Sequence, residues 1–267
     1  MKLAVDIGGT KTLLAVFDDT GHLLSSQRFP TPQNYDEFLV TLKENIQSIK
    51  RSGFTQCVVA VPGRLDREKG IAISCGNLGW KNIPIQRDVS RLVGCEVIIE
   101  NDAKLAGLYE ATNVKHEHDK VLYITISTGI GTAVITNGVI DPDFKDMEGG
   151  QIVFEHEGKP QRWEKFASGK AIKEKYGKLA SEIEDPAIWK EIAQALAPGI
   201  FDNVTVVQPD IVIIGGGVGQ HFPKFKKPLM EELKQFDTPL TPVPPIVEAK
   251  HAEEAVIYGC LELMNQL

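Results

Sequence analysis

Glycine and threonine occur together at two places in the chain, each time next to an apolar stretch. The first segment is Asp6-Ile7-Gly8-Gly9-Thr10-Lys11, and the second is Thr128-Gly129-Ile130-Gly131. Glycines allow backbone N–H groups to approach an anion closely, and threonine hydroxyls add donors, so such turns can bind phosphate. A tight turn whose glycines only supply a positive φ explains either segment equally well. Because the two segments lie about half a chain apart, we favour phosphate binding for both.

A third glycine run, Gly215-Gly216-Gly217, follows the apolar residues 211–214. Glycines at the carboxyl end of a strand allow a phosphate or a flat ligand to pack closely. The run does not match the dinucleotide-binding fingerprint, because no acidic residue follows a clear helix at the required spacing. It indicates a ligand-binding turn of another kind.

Two aspartates stand where a carboxylate could do chemistry. Asp6 lies at the end of an apolar strand, where a carboxylate is costly unless it faces water or a cation, so a role linked to Mg²⁺ is a reasonable alternative. Asp102 lies in Glu100-Asn101-Asp102, between a predicted strand and a predicted helix. From the residues alone, we favour a helix-capping role for Asp102 over that of a general base.

Two polar turns in the first half could complete a small-molecule pocket. Gly63 follows a predicted buried strand, and Asn77 precedes Trp80 in a glycine-rich turn. Asparagine and tryptophan can line a polar pocket, although turns of this kind are more often plain loops.

The apolar pattern predicts a similar order of elements in the two halves. Residues 2–29 are predicted as three consecutive antiparallel strands, and Asn34 is predicted to cap the helix that follows. Residues 121–136 repeat the order of apolar strand, glycine turn and apolar strand. An internal duplication on this scale predicts two similar α/β domains.

Further helices are predicted in the second half. They cover residues 165–178, residues 187–207 with an interruption at Pro198-Gly199, and residues 253–267. The charged stretch 114–120 is predicted as the boundary between the domains.

The composition excludes several classes of protein. The chain has 267 residues, of which 42% are hydrophobic and 24% charged, which is typical of a globular protein. The formal charge of −7 makes nucleic-acid binding a poor first hypothesis. No apolar run is long enough to span a membrane, and no signal peptide is recognised, so we expect a cytoplasmic protein. The scattered cysteines Cys57, Cys75, Cys95 and Cys260 argue against a cysteine-based zinc site.

Taken in order, these motifs resemble the ROK family of sugar kinases, the glucokinase-like branch of the actin-like ATPases. The resemblance covers nearly the whole chain. It implies an α/β fold with two ribonuclease-H-like (actin-like ATPase) domains flanking a central cleft. Residues 1–116 would form a sugar- and phosphate-binding domain, on which a C-terminal helix at about 251–267 packs back. Residues 117–250 would form the nucleotide-binding domain.

The resemblance also implies roles for particular residues. Asp102 would be the catalytic base that accepts the proton of a sugar hydroxyl, most simply at the 6-position, as it attacks the terminal phosphoryl group of ATP. ATP would be the donor with Mg²⁺, held through the phosphates and through Asp6. The phosphates would lie against Gly8, Gly9, Thr10, Lys11, Thr128, Gly129 and Gly131. The adenosine would border Gly215, Gly216 and Gly217. The sugar would be held by Gly63, Asn77, Asn101, Asp102, Gln151 and Glu164.

The chain departs from the family pattern at the sugar and zinc positions. Gln151 replaces a sugar-binding glutamate and Phe154 a zinc-ligand histidine, while Glu164 matches the second sugar-binding glutamate. The cysteines of the family's zinc loop are absent, so no zinc is expected. Losing a carboxylate changes which hydroxyl groups can be recognised, which puts glucose in doubt as the acceptor.

Two alternatives to an ATP-dependent kinase remain open at this point. A basic run from Lys159 to Lys178 could follow a polyphosphate donor, although a solvated helix face explains it better. A sugar sensor without catalysis is the second alternative. DNA binding is not expected, because the phosphate turn begins at Asp6 and leaves no room before it for a DNA-binding module. A homodimer is suggested only by the resemblance to the family.

Overall fold

The structure, a computed structural model, describes residues 1–251 and 254–267. The chain divides into two compact units. Unit 1 consists of Met1–Tyr109 and Glu254–Leu267, and unit 2 consists of Glu110–Glu253. The binding roles assigned above to the two domains stay predictions.

Strands and helices alternate along much of the chain. The strands are β1 (Lys2–Ile7), β2 (Lys11–Phe17), β3 (Leu23–Pro30), β4 (Gln56–Val61), β5 (Arg64–Asp66), β6 (Ile71–Ser74), β7 (Lys81–Ile83), β8 (Glu96–Asn101), β9 (Lys120–Ile126), β10 (Ile130–Thr136), β11 (Val139–Ile140), β12 (Val153–His156), β13 (Lys159–Arg162), β14 (Ile211–Gly215) and β15 (Ile246–Glu248). The helices are α1 (Tyr35–Ser48), α2 (Ile85–Val93), α3 (Asp102–Ala111), α4 (Glu164–Ala167), α5 (Gly169–Tyr176), α6 (Pro186–Val207), α7 (Gly216–Gly219), α8 (Phe222–Leu233) and α9 (Ala255–Asn265).

The main sheet of unit 1 has the strand order β3-β2-β1-β4-β8. Strand β1 pairs antiparallel with β2 and parallel with β4, and β4 pairs parallel with β8. The three parallel strands therefore end at the same edge. A smaller antiparallel sheet, β5-β6-β7, follows β4 along the chain.

Side chains of β1 alternate between the two faces of this sheet. Leu3, Val5 and Ile7 pack in a cluster with residues of α1 and α2. Ala4 packs on the opposite face, in a cluster with residues of α3 and α9. Because alternate side chains share a face, Asp6 lies on the α3 and α9 side of the sheet.

Helix α1 begins as the sequence predicts. The Asn34 side chain accepts hydrogen bonds from the N–H groups of Asp36, at 2.9 Å, and Glu37, at 3.1 Å. Two of the N–H groups that a helix start leaves without partners are thereby satisfied. The predicted capping role of Asn34 is confirmed.

Unit 2 contains a main sheet with the order β11-β10-β9-β14-β15. Strand β9 pairs antiparallel with β10 and parallel with β14, and β14 pairs parallel with β15. This is the arrangement found in unit 1, as the predicted duplication requires. Its core joins Leu122 and Ile124 of β9 to buried residues of α6 and α8.

Two helices differ from their sequence-based predictions. The segment predicted as one helix over 165–178 is divided at Ser168, whose hydroxyl caps α5 by accepting the N–H of Ala171 at 3.3 Å. The predicted closing helix begins at Ala255 in the described residues, and the part of that prediction at 252–253 lies outside them.

Helix α6 is not interrupted at Pro198, contrary to the prediction. It continues from Pro186 to Val207. Proline removes one helical hydrogen bond. The indole N–H of the buried Trp163 donates to the Ala195 carbonyl at 3.1 Å, within the turn that precedes Pro198. A Cβ on Gly199 would lie 2.0 Å from Cδ2 of Trp163, so glycine at this position lets the ring pack against the helix.

Replacing Gly199 with alanine should destabilise the protein, because the new Cβ would overlap the Trp163 ring. Overpacking typically costs about 1–3 kcal/mol, whereas helix propensity alone predicts a gain of about 1 kcal/mol. We expect a lower midpoint of thermal unfolding than in wild type. Val206→Ala on the same helix is the control, because Val206 is 65% exposed. A midpoint raised by Gly199→Ala would contradict the close contact with Trp163.

Candidate active site

Several of the predicted site residues of unit 1 lie at one edge of its main sheet. Asp6 is near the end of β1, Gly63 follows the end of β4, and Asn101 is the last residue of β8. These strands are parallel, so their carboxyl ends meet at the same edge, where ligands bind in open α/β sheets.

Asp6 is close enough to Asp102 for their charges to interact. Burial and the negative charge of Asp102 raise the pKa of Asp6 to about 7, while the charge of Arg28 acts in the opposite direction. Two carboxylates that repel one another favour a bound proton or a nearby cation. Arg28 was not recognised from the sequence.

Helix α3 is capped by Asn101 and not by Asp102, the residue that the sequence favours for this role. The side-chain oxygen of Asn101 accepts the N–H groups of Ala103, at 3.0 Å, and Lys104, at 3.2 Å, so Asn101 is the capping residue. Asp102 occupies the first position of the helix, and its Oδ1 accepts the N–H of Ala103 at 2.8 Å. The cap therefore does not depend on Asp102.

The first glycine turn does not depend on a positive φ. Gly8 and Gly9 are not among the residues with positive φ, so this alternative interpretation is wrong. Gly8 is needed for a different reason, since a Cβ there would lie 2.7 Å from the carbonyl oxygen of Lys11. Thr10 and Lys11 are exposed beside it.

A buried pair of threonines holds this turn. The Thr31 hydroxyl donates to the Gly8 carbonyl at 2.9 Å and lies 2.9 Å from the hydroxyl of Thr12. The Thr31 N–H donates to the Thr10 carbonyl at 3.0 Å. A hydroxyl group has a single proton to donate, and Thr31 donates its proton to the Gly8 carbonyl. The Thr12 hydroxyl is therefore the donor to the Thr31 hydroxyl. The sequence analysis missed Thr31, which follows β3 without any local motif.

Gly63 and Asn77 lie on loops close to these residues. Gly63 has a φ of +103°, and a Cβ there would lie 2.2 Å from the carbonyl oxygen of Ser74. Its carbonyl accepts the side-chain N–H of Asn101 at 3.0 Å. Asn77 is exposed, and its Cβ lies 3.8 Å from the position that a Cβ on Gly9 would take. The structure thus brings Gly9, Gly63, Asn77 and Asn101 together in unit 1.

Trp80 does not line an open pocket. Its side chain is buried, its ring centroid lies 4.8 Å from that of Phe38, and its indole N–H donates to the Gln33 carbonyl at 2.7 Å. The interpretation of Trp80 as a pocket residue is wrong, because this ring belongs to the core of unit 1.

In unit 2, the second glycine turn connects β9 to β10. Thr128 is exposed, while Gly129 and Gly131 are half-buried. The N–H of Ser127 donates to the Gly129 carbonyl at 2.9 Å, and the N–H of Gly169 donates to the Ser127 carbonyl at 2.7 Å. The turn is thereby held against the start of α5.

The third glycine run joins β14 to α7. Gly216 has a φ of +82°, and a Cβ there would lie 2.6 Å from the carbonyl oxygen of Ile126 at the end of β9. Gly217 is exposed, and apart from its chain neighbours and the backbone of its own helix, no heavy atom lies within 4 Å of the position its Cβ would take. The run therefore packs closely on the sheet at Gly216 and leaves open space at Gly217, where a ligand could approach.

Gln151 and Glu164 also belong to unit 2 and lie near the second glycine turn. A Cβ on Gly150 would lie 2.1 Å from the Ile130 carbonyl oxygen, which places Gln151 beside that turn. Oε2 of Glu164 lies 3.0 Å from the position of a Cβ on Gly129. The N–H of Trp163 donates to the Ile152 carbonyl at 2.8 Å, so the segments that carry Gln151 and Glu164 are joined directly.

Phe154 packs beside the ring of Phe166, with the ring centroids 6.1 Å apart. Within residues 1–251 and 254–267, no group of three or more His, Cys, Asp or Glu side chains is arranged to hold a metal ion. None of the helices in the described part of the chain combines the length and apolar character that crossing a membrane requires.

Comparison with known proteins identifies the family. The model of the ROK family matches residues 2–267, and the chain therefore belongs to the ROK family. The predicted family and the predicted α/β fold of the actin-like ATPases are both confirmed.

Two curated relatives and one solved structure are similar over their whole lengths. A glucokinase of Streptomyces coelicolor is 23% identical, with 100% of this chain and 98% of the relative covered. An N-acetyl-D-glucosamine kinase of Haemophilus influenzae is 27% identical, with 98% and 99% covered. A ROK family glucokinase from Streptomyces griseus, solved with glucose and AMPPNP, has a TM-score of 0.82 and is 22% identical, with 100% and 99% covered.

The raised pKa of Asp6 predicts a pH-dependent cost to stability. An unfolded aspartate has a pKa of about 3.9. Between that value and about 7, the folded state binds a proton that the unfolded state has lost, so the stability contribution falls as pH rises through this window. Asp6→Asn removes the carboxylate and should raise the midpoint of thermal unfolding, more at pH 8 than at pH 5.

This comparison is best made in the presence of a chelator, so that no cation screens the carboxylates. Glu44→Gln is the control, because Glu44 is an exposed residue of α1 in the same unit. An equal effect of Asp6→Asn at both pH values would show that the carboxylate of Asp6 carries no such cost.

Proposed function

We propose that this protein transfers the terminal phosphoryl group of ATP to a hydroxyl group of a hexose or an amino sugar. That it is a sugar kinase agrees with its family and with the curated relatives, which are glucokinases and N-acetylglucosamine kinases. The sequence-based prediction of a sugar kinase is confirmed at this level. The observation that carries the mechanism is the position of Asp102 at the head of α3, beside Asp6 and Asn101.

Asp102 is the proposed general base. It accepts the proton of the sugar hydroxyl as that oxygen attacks the terminal phosphorus of ATP, the bond from this phosphorus to the bridging oxygen breaks, and ADP leaves. Phosphoryl transfer needs mainly positioning and charge stabilisation, which this arrangement could supply. Since Asn101 caps α3, the carboxylate of Asp102 is not required for that structural task.

We propose that polar residues of the chain hold the acceptor sugar by hydrogen bonds. In unit 1 the proposed residues are Gly63, Asn77 and Asn101, and in unit 2 they are Gln151 and Glu164. The proximity of Asn101 to Gly63, and of the Gln151 segment to that of Glu164, supports this proposal. An amide at position 151 offers both a donor and an acceptor, where a carboxylate accepts only. The acceptor hydroxyl proposed is that at the 6-position.

The donor would be bound by the glycine turns. Gly8, Gly9, Thr10 and Lys11 in unit 1, and Thr128, Gly129 and Gly131 in unit 2, are the proposed phosphate-binding residues. The open space beside Gly217 supports an approach of the nucleotide to Gly215, Gly216 and Gly217.

ATP is favoured over polyphosphate by the contacts of the basic run. Lys175 lies 2.9 Å from Glu191, and Lys170 lies 3.8 Å from Glu174, so acidic neighbours offset part of the positive charge. All four side chains are more than half exposed. Such a surface is consistent with a solvated helix face.

Mg²⁺ fits the carboxylates of unit 1. Mg²⁺ prefers oxygen ligands and is usually bound through one or two carboxylates together with substrate phosphates. Asp6 and Asp102 are close enough for their charges to interact, which supports cation binding at these carboxylates. Asp6 is therefore the residue proposed to hold Mg²⁺, which when bound neutralises charge on the transferred phosphoryl group. A homodimer and a cytoplasmic location stay predictions.

A panel of hexoses and amino sugars, offered with ATP or with polyphosphate, tests the function directly. We expect a phosphorylated sugar and a matching amount of ADP with ATP as donor. Sugar binding without consumption of ATP would instead identify a sensor, and product formed only with polyphosphate would replace the donor that we propose.

With the sugar that gives product, Asp102→Asn should lower kcat by about 10²–10⁴-fold, the usual contribution of a general base. The amide keeps the size of the side chain but cannot accept the proton, so both KM values should change little. Glu44→Gln serves as the control for an exposed carboxylate of unit 1. A kcat of Asp102→Asn close to that of wild type would exclude Asp102 as the base.

Glu164→Gln should raise the KM for the sugar by about 10- to 150-fold, since a hydrogen bond to a charged group is worth about 1.5–3 kcal/mol. Glu174→Gln is the matched control, because Glu174 is a 66% exposed glutamate of the neighbouring helix α5. Initial rates at varied sugar concentration measure the effect. An unchanged KM for the sugar would remove Glu164 from the proposed sugar-binding residues.

A further inference from the structure

The side chains of Arg67 and Glu100 form an ion pair next to Asn101, one of the proposed sugar-binding residues. Nε of Arg67 lies 2.8 Å from Oε2 of Glu100, and Nη2 lies 2.5 Å from Oε1, so the guanidinium binds both carboxylate oxygens. The pair is well shielded, since the two side chains are 21% and 9% exposed. Paired contacts of this type fix direction as well as distance.

Glu100 also contacts the backbone of the next residue. Its Oε1 accepts the N–H of Asn101 at 2.6 Å. The side chain of Asn101 then donates to the Gly63 carbonyl at 3.0 Å and accepts two N–H groups of the first turn of α3. Asn101 is therefore held at its backbone by Glu100, and Asp102 follows it immediately along the chain.

The contacts form a closed network. Arg67 follows β5, whereas Gly63 immediately precedes that strand, so both ends of the network on this side belong to one short segment. Glu100 and Asn101 are the last two residues of β8. Two of the contacts, Arg67 with Glu100 and Asn101 with Gly63, thus join the segment 63–67 to the end of β8.

We propose that Arg67 and Glu100 are positioning residues, which act through Asn101 and Gly63 to place the acceptor sugar and Asp102. This inference rests on the proposed function, since it concerns the same sugar site. Neither side chain needs to touch the sugar. Removing the guanidinium leaves the buried carboxylate of Glu100 without this partner, so the oxygen that accepts the N–H of Asn101 is no longer fixed and the end of β8 should shift.

Steady-state kinetics of Arg67→Gln, Glu100→Gln and the double variant test the proposal. We expect each single variant to raise the KM for the sugar and to lower kcat/KM for the sugar by about 10²-fold, the loss that a misplacement of about 1 Å can cause. The KM for ATP should stay within about twofold of wild type, because the network does not include the nucleotide-binding turns. The double variant removes both charges. Its loss in kcat/KM for the sugar should be smaller than the combined losses of the two single variants.

Lys69→Gln is the matched control. Lys69 lies in the same turn as Arg67 and pairs with Asp66 at 2.8 Å, but its side chain is 73% exposed. Exposed ion pairs contribute little to the stability of the folded state, so the kinetics of this variant should match those of wild type. If Arg67→Gln does not fold, Arg67→Lys keeps the charge and loses the paired contact, and we expect an intermediate rise in the KM for the sugar.

The outcomes separate this inference from the proposed function. A wild-type protein without kinase activity on any sugar would refute the function itself. An active wild type whose KM for the sugar is unchanged in Arg67→Gln, or in Arg67→Lys where only that variant folds, would overturn the positioning role. A fall in kcat alone, with both KM values unchanged and a lower fraction of folded protein, would show a purely structural role and would overturn it as well.

Discussion

The burial of the Asp6 carboxylate beside a second carboxylate, that of Asp102, is the constraint on which the proposed site of unit 1 depends. The alternation of β1 places Asp6 on the face covered by α3 and α9, and the start of α3 places Asp102 nearby. Burial and like charge together raise the pKa of Asp6 to about 7. A buried carboxylate with a like-charged neighbour favours a bound proton or a nearby cation, and under the proposed function Mg²⁺ would be that cation.

The surrounding residues hold the backbone at this edge without relying on the two aspartates. Asn101 caps α3, Thr31 fixes the carbonyl of Gly8, and Glu100 holds the N–H of Asn101. Polar groups buried near a charged site must be satisfied, because an unpaired donor or acceptor there is costly. The glycine turn and the start of α3 therefore keep their geometry through these contacts. The carboxylates of Asp6 and Asp102 remain available for the roles proposed for them.

The sequence was informative where the signal is local or periodic, and uninformative where contacts are distant. The α/β class, the repeated order of strand, glycine turn and strand, and the Asn34 cap follow from apolar periodicity and a capping residue. The choice between Asn101 and Asp102 as the cap could not be made from composition, since both residue types cap helices well. Trp163 is 32 residues from the Ala195 carbonyl of α6 that its indole contacts, and Arg67 is 33 residues from Glu100, so neither contact leaves a pattern in the sequence.

The division into a sugar-binding domain and a nucleotide-binding domain stays a prediction, but two of the residues predicted to bind different ligands lie in contact in unit 2. Glu164, predicted to bind sugar, lies against Gly129, predicted to bind phosphate. A side chain larger than hydrogen at Gly129 would displace Oε2 of Glu164, which lies only 3.0 Å from the Cβ position. A change in one proposed subsite therefore reaches the other through direct contact. Under the proposed function, donor and acceptor recognition in unit 2 therefore meet at the contact between Gly129 and Glu164.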